Sequence, residues 1–162
     1  MTKRAEFERL KAFILLDMVG DKQLGLTIEE NSTPALYRLF REAADQAGLG
    51  KHWSRHSQRL SDDHLPFLAL GIPSIDLIDF EYGPDNEYWH SPEDTLEHCS
   101  QESLQANGDI VRAGLVALEK KLALMLVALP AACRCCRNRS RPPNIVLILA
   151  DDLGASEVGR YA

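Results

Sequence analysis

Three places in the chain carry side chains that could do chemistry. Asp17 follows the apolar run Phe13-Ile14-Leu15-Leu16, the triplet Asp62-Asp63-His64 opens a short helical stretch, and His90 lies in a long loop rich in acids, Pro and Gly. A carboxylate oxygen beside an imidazole nitrogen suits zinc, which in catalytic sites takes three protein ligands and keeps one position open for water or substrate. Spacing alone leaves alternatives in place. An Asp after a strand also serves as a cap or turn residue, Asp62 reads equally as a helix N-cap, and His52, His56, His64 and His98 read as ordinary exposed loop histidines. Cys133, Cys135 and Cys136 crowd into four residues. They lack both the paired C-x-x-C spacing and the nearby His of a zinc ribbon, and read as unpaired thiols.

These residues need elements to position them. Phe13 to Leu16, stopped at Gly20, reads as a strand buried on both faces, with Asp17 at its C-terminal end. Thr33 to Ala47 carries Leu36, Leu39, Phe40, Ala43 and Ala44 at helical spacing, with Ser32 or Thr33 as N-cap, Pro34 in the first turn and Gly48 as the stop. A shorter helix runs from Ser61-Asp62-Asp63-His64 to Leu70. A second buried strand follows over Ile72 to Ile78, with the anomaly of Asp76 inside it. Residues 80–95 form a long loop of the kind that carries function on a rigid scaffold. A final helix begins at Ser103 or Asn107 and reaches Ala128, with Leu104, Ile110, Val111, Leu115, Leu118 and Leu122 on its apolar face. Strand, helix, helix, strand and helix in this order predict an α/β layered architecture with parallel strands, in which ligands bind outside the carboxyl ends of the strands.

Composition sets the limits. The 162 residues hold 18 Lys and Arg against 24 Asp and Glu, a formal charge of −6, with 45% hydrophobic side chains. That length accommodates one ordinary domain. The acidic balance argues against a nucleic-acid partner, and no run of apolar residues is long enough to span a membrane. The charge is uneven, at −8 over residues 1–128 and +2 over 129–162. The chain is accordingly expected to divide into a main domain over 1–128, a Cys- and Arg-rich linker over 129–141, and a tail over 142–162. The run Leu122 to Ala132 after Lys120-Lys121 reads either as the last turns of the final helix or as an internal signal-like segment.

Four motifs occur in order: Leu15-Leu16-Asp17-Met18-Val19-Gly20, Ser61-Asp62-Asp63-His64-Leu65-Pro66-Phe67, Gly71-Ile72-Pro73-Ser74-Ile75-Asp76-Leu77-Ile78 and Tyr88-Trp89-His90-Ser91-Pro92-Glu93-Asp94-Thr95. Together they resemble the second half of the zinc aminopeptidase and glutaminyl cyclase family, metallopeptidase family twenty-eight. The resemblance implies an α/β/α sandwich around a mostly parallel sheet, present here in part. It implies zinc, one or two ions in a complete member, and peptide or protein N-termini as partners. It further implies a periplasmic or secreted setting of bacterial type. His90 corresponds to a zinc ligand. Asp17 corresponds to the ligand of the second zinc in the two-zinc aminopeptidases and to a member of a carboxylate network in the one-zinc cyclases, where Asp62 matches its catalytic partner. Trp89 corresponds to the indole beside the metal, lining a substrate pocket, although packing within the loop is an alternative role for it.

The family also places a His-x-Asp, a bridging Asp and a Glu-Glu pair ahead of the strand that ends at Asp17, and the sixteen residues here hold only Glu6 and Glu8, outside any such motif. With Asp17 and His90 as the remaining ligands, zinc is expected to bind poorly and the chain alone to be inactive. Three functions stay open on the sequence: aminopeptidase hydrolysis, cyclisation of N-terminal Gln to pyroglutamate, and an inactive module that associates through an exposed strand edge. The segment Arg141-Pro142-Pro143-Asn144-Ile145-Val146-Leu147-Ile148-Leu149-Ala150-Asp151-Asp152-Leu153-Gly154 resembles the N-terminal strand of sulfatases. That second resemblance implies a strand over 144–150 and calcium at Asp151 and Asp152.

Overall fold

The computed structural model describes residues 10–127 and 145–151. The elements are β1 (Leu10–Asp17), β2 (Leu26–Glu29), α1 (Pro34–Gln46), β3 (Trp53–Gln58), α2 (His64–Ala69), β4 (Ser74–Ile78), α3 (Gln101–Val127) and β5 (Ile145–Asp151). They form a three-stranded parallel sheet in the order β4-β1-β5 and a two-stranded parallel sheet of β2 and β3. The expected α/β class with parallel strands is therefore the architecture observed.

β1 is central because its side chains leave it no other place. Ala12, Phe13, Ile14 and Leu15 are fully buried, and alternate residues serve opposite faces. Ala12 and Ile14 join the main core with Leu36, Phe40 and Ala44 of α1 and Ile110, Val111 and Leu118 of α3. Phe13 and Leu15 pack on the other side with Ile72, and Phe13 stacks on Phe67 of α2 with ring centroids 3.9 Å apart. Burial of a side chain such as Phe40 stabilises the fold by roughly 2–3 kcal/mol. The close approach of α1 to α3 requires Gly114, where an added Cβ would collide with the Phe40 ring.

The helix α1 starts at Pro34, as its first-turn Pro predicts, but Thr33 makes no side-chain cap. Its Oγ1 instead accepts a hydrogen bond from Ser74 N–H, tying the helix start to β4. α3 begins at Gln101, before the expected Ser103 or Asn107, because Ser100 Oγ accepts a hydrogen bond from Ser103 N–H and so supplies the capping contact. β4 starts at Ser74 rather than Ile72, since Pro73 has no N–H for the ladder, and Pro73 O instead accepts from Phe13 N–H. β2 and β3 were not expected. β2 has only four residues, and β3 (Trp-Ser-Arg-His-Ser-Gln) buries only Trp53, so neither carries a usable alternation.

β5 lies parallel to β1, with Phe13 opposite Leu147 and Asp17 opposite Asp151. Residues 145–151 thus add a strand to the sheet that holds the motifs around Asp17 and Asp76. Asp152 and residues 128–144, with the three clustered cysteines, lie outside the described residues. No helix among the described residues is long and apolar enough to cross a membrane.

Candidate active site

The carboxyl ends of β1 and β4 bring acidic residues together. Asp17 is the last residue of β1 and is buried, with Met18 immediately after it in the left-handed region at φ 52°. That conformation is uncommon for a side-chain-bearing residue and turns the chain sharply away from the sheet. Asp76 sits inside β4 with no exposed surface, and neither carboxyl oxygen has a hydrogen-bond partner. Burial, and then repulsion from Asp62, Asp17 and Glu29, pushes its acid up to about 9. Asp76 is therefore a neutral acid at pH 7. Asp62 and Asp17 act on the same group, so the structure brings the two predicted carboxylates to one locality.

His64 corrects one expectation. Read as an exposed loop histidine, it is instead fully buried, because α2 tucks its first residue between β2 and β4. Its Nε2 lies 3.1 Å from Glu29 Oε2 and its Nδ1 3.6 Å from Asp76 Oδ2. Both are ion-pair separations, set off the line of an ideal hydrogen bond. Glu29, also buried, accepts from the N–H groups of Ser32, Asn31 and Leu60 and from Ser32 Oγ. Burial pushes its acid up, but the His64 contact and the backbone donors outweigh this and hold it at about 2. Ser32 Oγ in turn accepts from Asp76 N–H, linking Glu29 back to β4. Sequence reading missed Glu29. Its signal was indirect, since an Asp inside a buried strand demands buried partners.

Asp62 is half-buried, with its Oδ1 accepting from Asp63 N–H at 2.6 Å. Asp63, rather than Asp62, is the N-cap residue of α2, and it makes no side-chain cap. His90 is exposed and stands at φ 54°, its ring stacked on Trp89 with centroids 4.3 Å apart. Trp89 is 42% exposed and meets Phe80 edge-on at 5.6 Å. Trp89 is thus packed within the loop and partly exposed. Of the other histidines, His56 is exposed and lies 2.8 Å from Glu81, whereas His98 is half-buried and stacks on Tyr88.

Among the described residues, no group of three or more His, Cys, Asp or Glu is arranged to hold a metal ion. Asp17 and His90 offer two donors, one short of the three that an open zinc site uses. These residues do not make a zinc site by themselves. What the neighbourhood does contain is a buried acid that keeps its proton, Asp76, with Asp17, Asp62 and Glu29 acting on it and His64 lying between Glu29 and Asp76.

The model of peptidase family M28 matches residues 1–115, and the chain belongs to that family. It is 32% identical over 123 residues to aminopeptidase YwaD of Bacillus subtilis, covering 72% of this chain and 27% of that protein. A glutaminyl cyclase structure from an Acidobacteriales bacterium superposes with a TM-score of 0.70 at 37% identity, over 72% of this chain and 42% of that one. A Zn-dependent exopeptidase from Parabacteroides distasonis does so with a TM-score of 0.56 at 32% identity, over 62% of this chain and 37% of that one. The chain thus spans well under half the length of these relatives. The family match ends at residue 115, before residues 141–154.

Proposed function

We propose that this chain supplies one side of the active site of a zinc-dependent exopeptidase that removes residues from peptide N-termini. In this reading His90 and Asp17 are two of the metal ligands, and the remaining ligands and the general base come from sequence outside this segment. The observation that carries the proposal is that Asp17, at the carboxyl end of β1, and Asp62 both lie near a protonated Asp76, two residues inside the end of the parallel neighbour β4, on the side where open α/β sheets bind ligands. Protonated Asp76 lets Asp17 and Asp62 lie near it without a third negative charge. His64 and Glu29 fix the β2 end and the start of α2, which holds the segment bearing Asp62 in place. In this reading Trp89, partly exposed beside His90, lines the substrate side.

A second reading has specific support. The glutaminyl cyclase from the Acidobacteriales bacterium is a solved structure with substantial identity over the same region, and cyclisation of N-terminal Gln uses the substrate's own amine as nucleophile. It needs no base to activate water, only groups that hold and pass a proton. The Asp17–Asp62–Asp76 cluster fits that task.

Calorimetric titration of the full chain with zinc tests the ligand assignment. The expected result is weak binding, weakened further by His90→Ala and by Asp17→Asn. Tight binding indifferent to both substitutions would place the metal elsewhere.

A further inference from the structure

Trp89 and His90 are both exposed, so burial does not hold the turn that carries them. His90 nevertheless stands in the left-handed region at φ 54°, as do Asp85 and Asn86 at 51° and 61°. Side-chain-bearing residues keep that conformation where their surroundings fix it. Around this turn the fixing contacts meet at Tyr82, which is 4% exposed. Its N–H donates to Asn86 Oδ1 at 3.0 Å, its carbonyl accepts from Tyr88 N–H at 3.3 Å, and its hydroxyl donates to Asp94 Oδ1 at 2.9 Å. These three contacts bracket residues 89 and 90 on both sides. Gly83 keeps the bracket tight, since a Cβ there would collide with the Tyr88 ring. Burial, and then Asp94, pushes the phenol up, so it stays a donor through the ordinary pH range. The Tyr82 ring also shares a buried cluster with Ile78, the last residue of β4, and with Met18, which follows Asp17.

We propose that Tyr82 is the positioning residue for His90: its hydroxyl, through Asp94, locks the Trp89-His90 turn in the conformation that presents the imidazole. This rests on the reading of His90 as a metal ligand. The phenol itself touches neither metal nor substrate in this role. Its hydrogen bond closes residues 82–94 into a loop, which restricts the conformations open to the turn between them. A bond to a carboxylate is stronger than one between neutral groups. A loop released at Asp94 samples other conformations, and only the closed fraction offers His90 to an ion. Because the ring shares the Met18 and Ile78 cluster, the same side chain ties this turn to the segment that follows Asp17, the other proposed ligand.

Amide exchange and zinc titration of the full chain, both followed by NMR, test this. Tyr82→Phe removes the hydroxyl and keeps the ring. Exchange of the Trp89 and Ser91 amides, which donate to Asn86 O and Tyr88 O, should quicken about tenfold, the equivalent of one hydrogen bond to a charged group. Asp94→Ala, at a half-buried loop position that does not disturb the core, should do the same, and the double variant no more than either alone. Asp94→Asn keeps an acceptor oxygen and should stay close to wild type. As a control, Thr33→Val removes a hydrogen bond between the start of α1 and β4 and should lower stability without moving the loop amides. Zinc affinity read at the His90 ring resonances should fall about twofold to fivefold in Tyr82→Phe and in Asp94→Ala. Zinc that leaves those resonances unmoved in the wild type would refute the ligand reading, and exchange then decides the role of Tyr82 by itself. Unchanged exchange in Tyr82→Phe, additive losses in the double variant, or a His90 that binds zinc equally well with and without the hydroxyl would each overturn the proposal.

Discussion

Asp76 should make the fold less stable as pH rises, and Asp76→Asn should remove that dependence. Its acid lies at about 9 in the folded chain against an ordinary value of 3.8, pushed up by burial and then by Asp62, Asp17 and Glu29. A raised acid means that the folded state keeps a proton the unfolded state releases. The associated stability is complete below about 3.8, declines as pH rises, and is exhausted near pH 9. At pH 7 the gap between 3.8 and the working pH corresponds to a cost of about 4 kcal/mol, taking about 1.4 kcal/mol per pH unit. Asp79 is also raised, to about 6, by burial that the N–H groups of Gly25 and Glu81 only partly offset, so its contribution levels off above pH 6. Between pH 6.5 and 8.5 the slope then belongs mainly to Asp76. Urea unfolding across that range should show stability falling by about 1 kcal/mol per pH unit in the wild type and nearly flat in Asp76→Asn. Asn keeps the size of the acid and cannot ionise, so a constant offset between the two proteins would leave the test intact. Equal slopes would refute the claim that Asp76 is held neutral by its neighbours.

Glu29 gives the opposite sign: held at about 2 by His64 and backbone donors, it contributes stability present above about pH 4.5 and lost as pH falls towards 2, and Glu29→Gln should remove that acid limb in a pH series of thermal melts. His64→Ala removes a fully buried imidazole from between Glu29 and Asp76 while Glu29 keeps its four hydrogen-bond donors, and should cost about 2–5 kcal/mol in urea unfolding, whereas a loss below about 0.5 kcal/mol would show that the imidazole contributes nothing there. Gly114→Ala should destabilise by about 1–3 kcal/mol through the collision with Phe40, read from the urea midpoint, and the additional substitution Phe40→Leu should recover part of the loss.

The order of apolar runs made β1, β4 and the two longer helices legible, because each buries a continuous or helically spaced set of side chains. Asp76 was legible as an anomaly, since a carboxylate has no place in a buried strand without neighbours that adjust its charge. Its partner His64 was not, because burial of that imidazole depends on β2 and on Glu29, remote in sequence and brought in only by the tertiary fold. β3 was hidden for a different reason. An edge strand whose side chains after Trp53 are largely exposed has no pattern to read. The position of β5 was equally inaccessible: its apolar run announced a strand, but nothing local says that it pairs with β1. Asp17, Asp62, Trp89 and His90 are site candidates on the strength of the four ordered motifs rather than of spacing.

The central claim, that this segment carries the His90 side of an M28 active site, is tested most directly by a chimera. Residues 10–127 would replace the aligned region of the Acidobacteriales glutaminyl cyclase, and the product would be assayed for cyclisation of N-terminal Gln and for release of amino acids from aminoacyl anilides. The account predicts a folded, zinc-dependent chimera whose turnover, on one substrate or the other, is lost in His90→Ala and in Asp17→Asn while its melting temperature is retained. A folded chimera that turns over equally well with either substitution, or that binds zinc and turns over neither substrate, would contradict it.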